Sequence, residues 1–269
     1  MLIWVIALHC EAKPVIDFYR LKKTPAHHSF DLYQNEYMQC VISGIGKINA
    51  AAATAWVAAL NQNQASLAWI NLGTAGSAKH ELGSVFWVSK ISQEHSSKHL
   101  FPVPTFTSGF ASSGCISLDE TSVDYHDTQI YDMEASAFFV TATRFSSAEQ
   151  IHCLKVISDN KQRQTGQDKS AISNLISPCM PAINTFANKL QALNQQLCQL
   201  EIDPADWRDI LALNHFSQTQ QARLKTALRF LLNRSYDSQS LRNEISGLSS
   251  SREILQTLDR LCFDESRNL

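Results

Sequence analysis

Five apolar runs frame this chain. Leu2 to Leu8 is continuously apolar, the mark of a strand covered on both faces. Pro14 to Leu21 then predicts a short helix, with Pro14 near its first turn. Tyr37 to Ile42 predicts a second strand, which ends in Ser43-Gly44-Ile45-Gly46-Lys47. An alanine-rich helix is expected from Ile48 to Leu60. Ser66 to Leu72 predicts a third strand, running into a Gly73-Thr74-Ala75-Gly76 turn. Val85 to Ile91 is rich in β-branched and aromatic residues and also predicts a strand. Met133 to Thr143 reads as a helix, Ile151 to Ile157 as a strand with a polar end at Ser158-Asp159, and Ser173 to Leu193 as one long amphipathic helix.

Strands alternating with helices define an α/β fold with a mixed or mostly parallel sheet. Such folds bind ligands at the carboxyl edge of the sheet. Glu11, Ser43 to Lys47, Gly73 to Gly76 and Ser158-Asp159 all follow apolar strands directly, which argues for one shared site. Beyond about residue 201 the pattern becomes helical only. Asp203-Pro204 reads as an N-cap with proline at the first helical position, and Ser217 to Asn233 has helical spacing. Ser250 or Ser251 is expected to cap a last helix ending near Cys262. The expected organisation is therefore an α/β domain over residues 1–197 and a helical appendage over 201–269.

Composition narrows the classes. The chain has 269 residues, 44% of them hydrophobic, so it can bury a substantial core. A formal charge of −2 leaves no electrostatic footprint for nucleic acid or an anionic membrane. Seven cysteines at irregular spacing, with no CxxC pair, argue for free thiols in a reducing compartment and against a metal site. Leu2 to Leu8 has no basic leader, so a cytoplasmic protein is expected. Cys10 reads as a small, half-buried filler, and His9 as a partly buried polar residue with no assigned role. Arg223, Lys225, Arg229 and Arg234 read as a solvated helix surface.

Carboxylates carry the candidate chemistry. Glu11, Glu134 and Asp159 each stand beside an apolar run. A half-buried charge is expensive unless it is paired or hydrogen-bonded. Each also has a plain structural reading: Asp159 as a cap after its strand, Glu134 as a first-turn acid favoured by the helix dipole, Glu11 as a chance acid after a strand.

In order, the motifs resemble the nucleoside phosphorylase and nucleosidase superfamily, above all the 5'-methylthioadenosine/S-adenosylhomocysteine nucleosidases. The matching segments are Ala7 to Glu11, Ser43 to Ala51, Asn71 to Gly76, Leu82 to Val85, Asp132 to Ala135 and Val156 to Asp159. The resemblance implies a three-layer α/β/α sandwich around a mixed sheet, a nucleoside as ligand, no cofactor, and a homodimer. It implies that Asp159 is the general acid at the purine, held by Ser158. Glu134 would bind the ribose hydroxyls, with Met133 against the sugar. Glu11 would activate water, and Thr74 and Gly76 would line the sugar and nucleophile pocket. The chemistry suits these residue types. Glycosidic cleavage passes through a cationic sugar flanked by acid and base carboxylates.

Phosphate is the alternative nucleophile in this superfamily. Hexameric phosphorylases carry an arginine where Asn71 stands, and a phosphate loop after the first strand. Here that loop is His9 to Lys13, without arginine, and Glu11 would repel a dianion. Hydrolysis is favoured. A nucleoside-binding module without turnover is the non-enzymatic alternative, and an interaction protein built on the helical tail is a third. The segment before Asp132 departs from the family: Val123 to Ile130 leaves no room for a helix of ordinary length. Phe101, Phe106 and Phe110 are candidates to stack on the base.

Overall fold

A computed structural model describes residues 1–25, 29–62, 66–120, 125, 129–160, 168–199, 202, 204–234 and 236–267. The chain divides into two compact units, Met1–Gln195 and Gln196–Leu269.

The first unit is built on one sheet of ten strands: β1 (Leu2–Ile6), β2 (Lys22–Lys23), β3 (Asp31–Gln34), β4 (Met38–Ile42), β5 (Ala68–Ser77), β6 (Val85–Gln93), β7 (His99–Leu100), β8 (Ala111–Ser117), β9 (Ile130–Asp132) and β10 (Ile151–Asn160). Strand β5 is the hub, pairing in parallel with β1 and β10 and antiparallel with β9. From β10 the ladder continues through β6, β8 and β9 and returns to β5, so half of the sheet closes on itself. The other half stays open as β1, β4, β3 and β2. The mixed sheet matches the fold expected from the motifs.

Two apolar layers sandwich it. Helices α2 (Lys47–Leu60) and α3 (Ala135–Ala142) cover one face, and α1 (His9–Tyr19), α4 (Lys169–Ile176) and α5 (Met180–Gln199) cover the other. The pleat of β1 splits between them. Ile3 and Val5 join the first layer, while Leu2, Trp4 and Ile6 join the second. All five are fully buried, as their unbroken run requires.

Several boundaries differ from expectation. Helix α1 starts at His9, five residues before Pro14, so Pro14 lies inside it. Proline deprives the carbonyl four residues earlier of its helical donor. That carbonyl, on Cys10, accepts instead from the Ser173 hydroxyl at 2.6 Å. Gly73 to Gly76 is not a turn: it continues β5, paired with β10 along its length. The long helix expected over Ser173 to Leu193 is broken at Ser177–Cys179, where Pro178 begins a 3-10 turn. The N-cap expected at Asp203 lies outside the described residues.

The second unit holds α6 (Pro204–Ala212), α7 (Gln218–Leu232), α8 (Ser238–Ile245) and α9 (Ser251–Arg267). Leu224, Leu228, Leu231, Leu241, Ile245, Ile254 and Leu258 form its core. Ser217 caps α7 and Asp237 caps α8. Arg242 bridges Asp206 and Asp209, at 2.6 and 2.8 Å. Of the four basic residues noted in this unit, Arg223 pairs with Asp259 and Arg234 stacks on Phe230. Among the described residues no helix is long and apolar enough to cross a membrane.

Candidate active site

Strands β1, β4, β5 and β10 are mutually parallel, so their carboxyl ends share one edge. There the chain collects its acids, in two groups.

The first group surrounds Gly73. Glu11 sits in the first turn of α1 and is 3% exposed. Its Oε1 accepts from the Thr74 amide and hydroxyl, both at 2.7 Å. Its Oε2 accepts from the Leu8 amide at 3.1 Å. Three donors thus hold a buried carboxylate and clasp α1 to β5. Glu134 is the N-cap position of α3, and its Oε1 accepts from the Gly46 amide at 2.7 Å, at the start of α2. Burial, then the neighbouring Asp132 charge, pushes the Glu134 carboxyl up to about 7, and Glu11 adds to the shift.

Asp132 is the structural anchor of this group. Its Oδ1 accepts from Ser117 Oγ at 2.6 Å, and its Oδ2 from the amides of Glu134 and Ala135 at 3.2 and 2.7 Å. Lys155 Nζ lies 2.7 Å from the same Oδ2, and both side chains are out of solvent. Lys155 and these hydrogen bonds hold Asp132 below the usual carboxylate range against the cost of burial. Lys155 is correspondingly held protonated, with its pKa raised, by Asp132 and Glu134. Gly73 matters because it has no side chain. A Cβ there would stand 3.4 Å from Lys155 Nζ and 3.5 Å from Glu11 Oε1. The missing methyl leaves a small notch between one cation and one carboxylate.

The second group crosses the sheet one step further along. The register aligns Tyr131 on β9, Gly76 on β5 and Asp159 on β10. A bulge at Ser158 brings Asp159 opposite Gly76. Ser158, itself buried, donates to Asp159 Oδ2 at 2.6 Å. Asp159 is half-buried, whereas Glu11 and Glu134 are buried, so desolvation falls mainly on the first group. Met133 is half-buried beside Glu134.

The seven expected site residues therefore fall on this edge: Glu11, Thr74, Met133 and Glu134 in or beside the first group, and Gly76, Ser158 and Asp159 in the second. Sequence reasoning passed over Asp132 and Lys155, and over Tyr125, whose ring lies against Gly76. Lys155 had a visible signal, a lone charge inside the apolar run Ile151 to Ile157. Asp132 stood in the Asp132 to Ala135 segment without a role. Tyr125 had no signal. Of the aromatics considered for stacking, Phe106 and Phe110 pack on Phe186 in the α5 layer, while Phe101 is exposed.

No protein-family model and no curated protein matches this chain. Solved structures do. An MTA/SAH nucleosidase aligns with TM-score 0.56 and 17% identity over 69% of this chain and 95% of its own. The 5'-methylthioadenosine/S-adenosylhomocysteine nucleosidase of Neisseria meningitidis, in complex with methylthio-immucillin-A, aligns with TM-score 0.53 and 19% identity over 69% and 98%. The 5'-methylthioadenosine nucleosidase of Arabidopsis thaliana in apo form gives 0.54 and 18% over 70% and 95%. The chain thus has the nucleoside phosphorylase/nucleosidase fold.

Proposed function

We propose that residues 1–197 hydrolyse the N-glycosidic bond of a purine nucleoside such as methylthioadenosine or S-adenosylhomocysteine. The carrying observation is the notch at Gly73, flanked by Glu11 and Lys155 beside Glu134. A water in that notch would be oriented by Lys155 and would give a proton to Glu11. Its oxygen would bond to the sugar carbon as the bond from that carbon to the base nitrogen breaks. Asp159 would donate a proton or hydrogen bond to the purine, so the base leaves neutral. Ser158 would hold Asp159. Glu134 would bind the ribose hydroxyls and stabilise the cationic sugar, with Met133 packed against it. Thr74 and Gly76 would line the pocket.

Charge supports water over phosphate. Three acids face one cation, and Lys155 is already matched by Asp132. A dianion would meet Glu11. The test is release of free base from methylthioadenosine, S-adenosylhomocysteine, adenosine and inosine, with and without phosphate. Strict phosphate dependence would make the protein a phosphorylase. Nucleoside binding without turnover would make it a binding module.

The protein acts as a homodimer on this reading. Helix α2 carries no charge after Lys47, and Ile48 is 85% exposed on it, with Leu60 and Val140 of α3 also exposed. An uncharged helix face with exposed apolar side chains calls for cover, and a second copy supplies it. Light scattering at working concentration should give twice the chain mass. A monomer there, unchanged by Ile48→Lys, would reject the dimer.

A further inference from the structure

We propose that Tyr125 plugs the base half of this site, and that an incoming base takes the place of its ring beside Asp159. The inference rests on the nucleoside reading above and goes on to how the site is gated. Three observations converge on one spot. Gly76 lies between Tyr131 and Asp159 in register across three strands, so these positions share one face of the sheet. A Cβ added to Gly76 would collide with the Tyr125 ring carbons and phenol oxygen, so the ring lies directly on the glycine. The ring is tilted against Tyr131, centroids 5.4 Å apart, and Tyr125 is 7% exposed. The negative charge of Asp159 helps to raise the phenol's pKa, second to burial, which places the two groups close together.

Gly76 thus makes a trough that the chain fills with its own aromatic ring. A purine that reaches Asp159 over this trough needs the same space. An aromatic ring of this size, flat and with one polar end, is a fair physical mimic of a base. Exchange follows: the site is closed by Tyr125 when empty, and binding requires the ring to leave. An open form populated to about one tenth weakens apparent affinity about ten-fold.

Two measurements on the full-length protein test this. The first is tyrosine nitration with tetranitromethane, mapped by mass spectrometry, with the 63% exposed Tyr37 as internal reference. Tyr125 should resist nitration in the free protein and become reactive as adenine saturates it. The second is calorimetric titration with adenine and adenosine. Tyr125→Ala should bind about ten-fold tighter than wild type, and Tyr125→Phe, which keeps the ring, should not. Nitration of Tyr125 as fast as Tyr37 in the free protein would overturn the plug, whatever the ligand. Weaker binding by Tyr125→Ala, with Tyr125 protected by adenine, would overturn it in favour of a stacking role. If neither variant nor wild type binds adenine or adenosine while free Tyr125 is protected, the nucleoside reading fails and the exchange fails with it.

Discussion

The two halves of the candidate site are built differently. Around Gly73, the acids are buried and tied down: Glu11 by three donors, Asp132 by Ser117, Lys155 and two backbone amides. Around Gly76, Asp159 is half-buried, and the space beside it is filled by a tyrosine. The first half joins α1, α3, β5 and β10 and doubles as structure. The second is carried by a sheet edge and one ring. Substitutions in the first half should therefore cost stability, and those in the second should change function with little effect on stability.

The largest expected effect lies in the second half. Asp159→Asn should lower turnover on a purine nucleoside by about 10²–10⁴-fold, the usual worth of a positioned acid. Its melting temperature should stay near wild type, because the change is isosteric and half-exposed. Steady-state kinetics with a melting curve reads both. Unchanged kinetics would remove Asp159 from the acid role.

Lys155→Met should do the reverse. It leaves Asp132 buried without its cation, a loss of about 3–5 kcal/mol. Denaturant unfolding should register this, and the pair variant Lys155→Met with Asp132→Asn should recover part of it. A stability loss under about 1 kcal/mol would show that the pair does not anchor the first half.

Glu134 gives a pH signature. Its carboxyl titrates near 7 in the folded chain against an ordinary value of 4.5. The folded state therefore holds a proton that the unfolded chain has released between those values. The stabilisation is full below pH 4.5 and is lost as pH rises through 7, about 3 kcal/mol in all. His152, buried and pushed down to about 4 from 6.5, works the opposite way as pH falls through that window. The difference between Glu134→Gln and wild type isolates the effect. The variant should gain on wild type as pH rises from 4.5 to 8, while losing any ribose binding. A constant difference across that range would contradict the assignment.

The contrast also shows what a sequence can reveal. Strands β1, β5 and β10 were legible because burial on both faces leaves apolar runs, unbroken in β1 and interrupted only by Asn71 in β5 before its glycines and by His152 and Lys155 in β10 before its polar end. Glu11, Glu134 and Asp159 were legible as acids abutting those runs. Strands β8 and β9 were not. Ala111–Ser117 is mostly small and polar, and its Ser117 is buried because Asp132 accepts its hydroxyl. No hydropathy pattern records that compensation. The continuation of β5 through Gly73 to Gly76 was hidden for a related reason. Two glycines within four residues read locally as a turn, whereas here Gly76 clears space for the Tyr125 ring and Gly73 leaves a notch beside Glu11 and Lys155. Tyr125 was invisible because the surface it packs on is a glycine 49 positions earlier in the chain. Helix α8, short and polar, has only Leu241 and Ile245 buried and left little periodicity to read.

The central claim is that this edge cleaves a nucleoside with water. The most direct measurement incubates the purified full-length protein with methylthioadenosine in phosphate-free buffer and separates the products by chromatography. Free adenine and free methylthioribose are expected in equal amounts, at a rate unaffected by added phosphate and lowered by Glu11→Gln. Adenine released only when phosphate is present, together with a sugar phosphate, would contradict it.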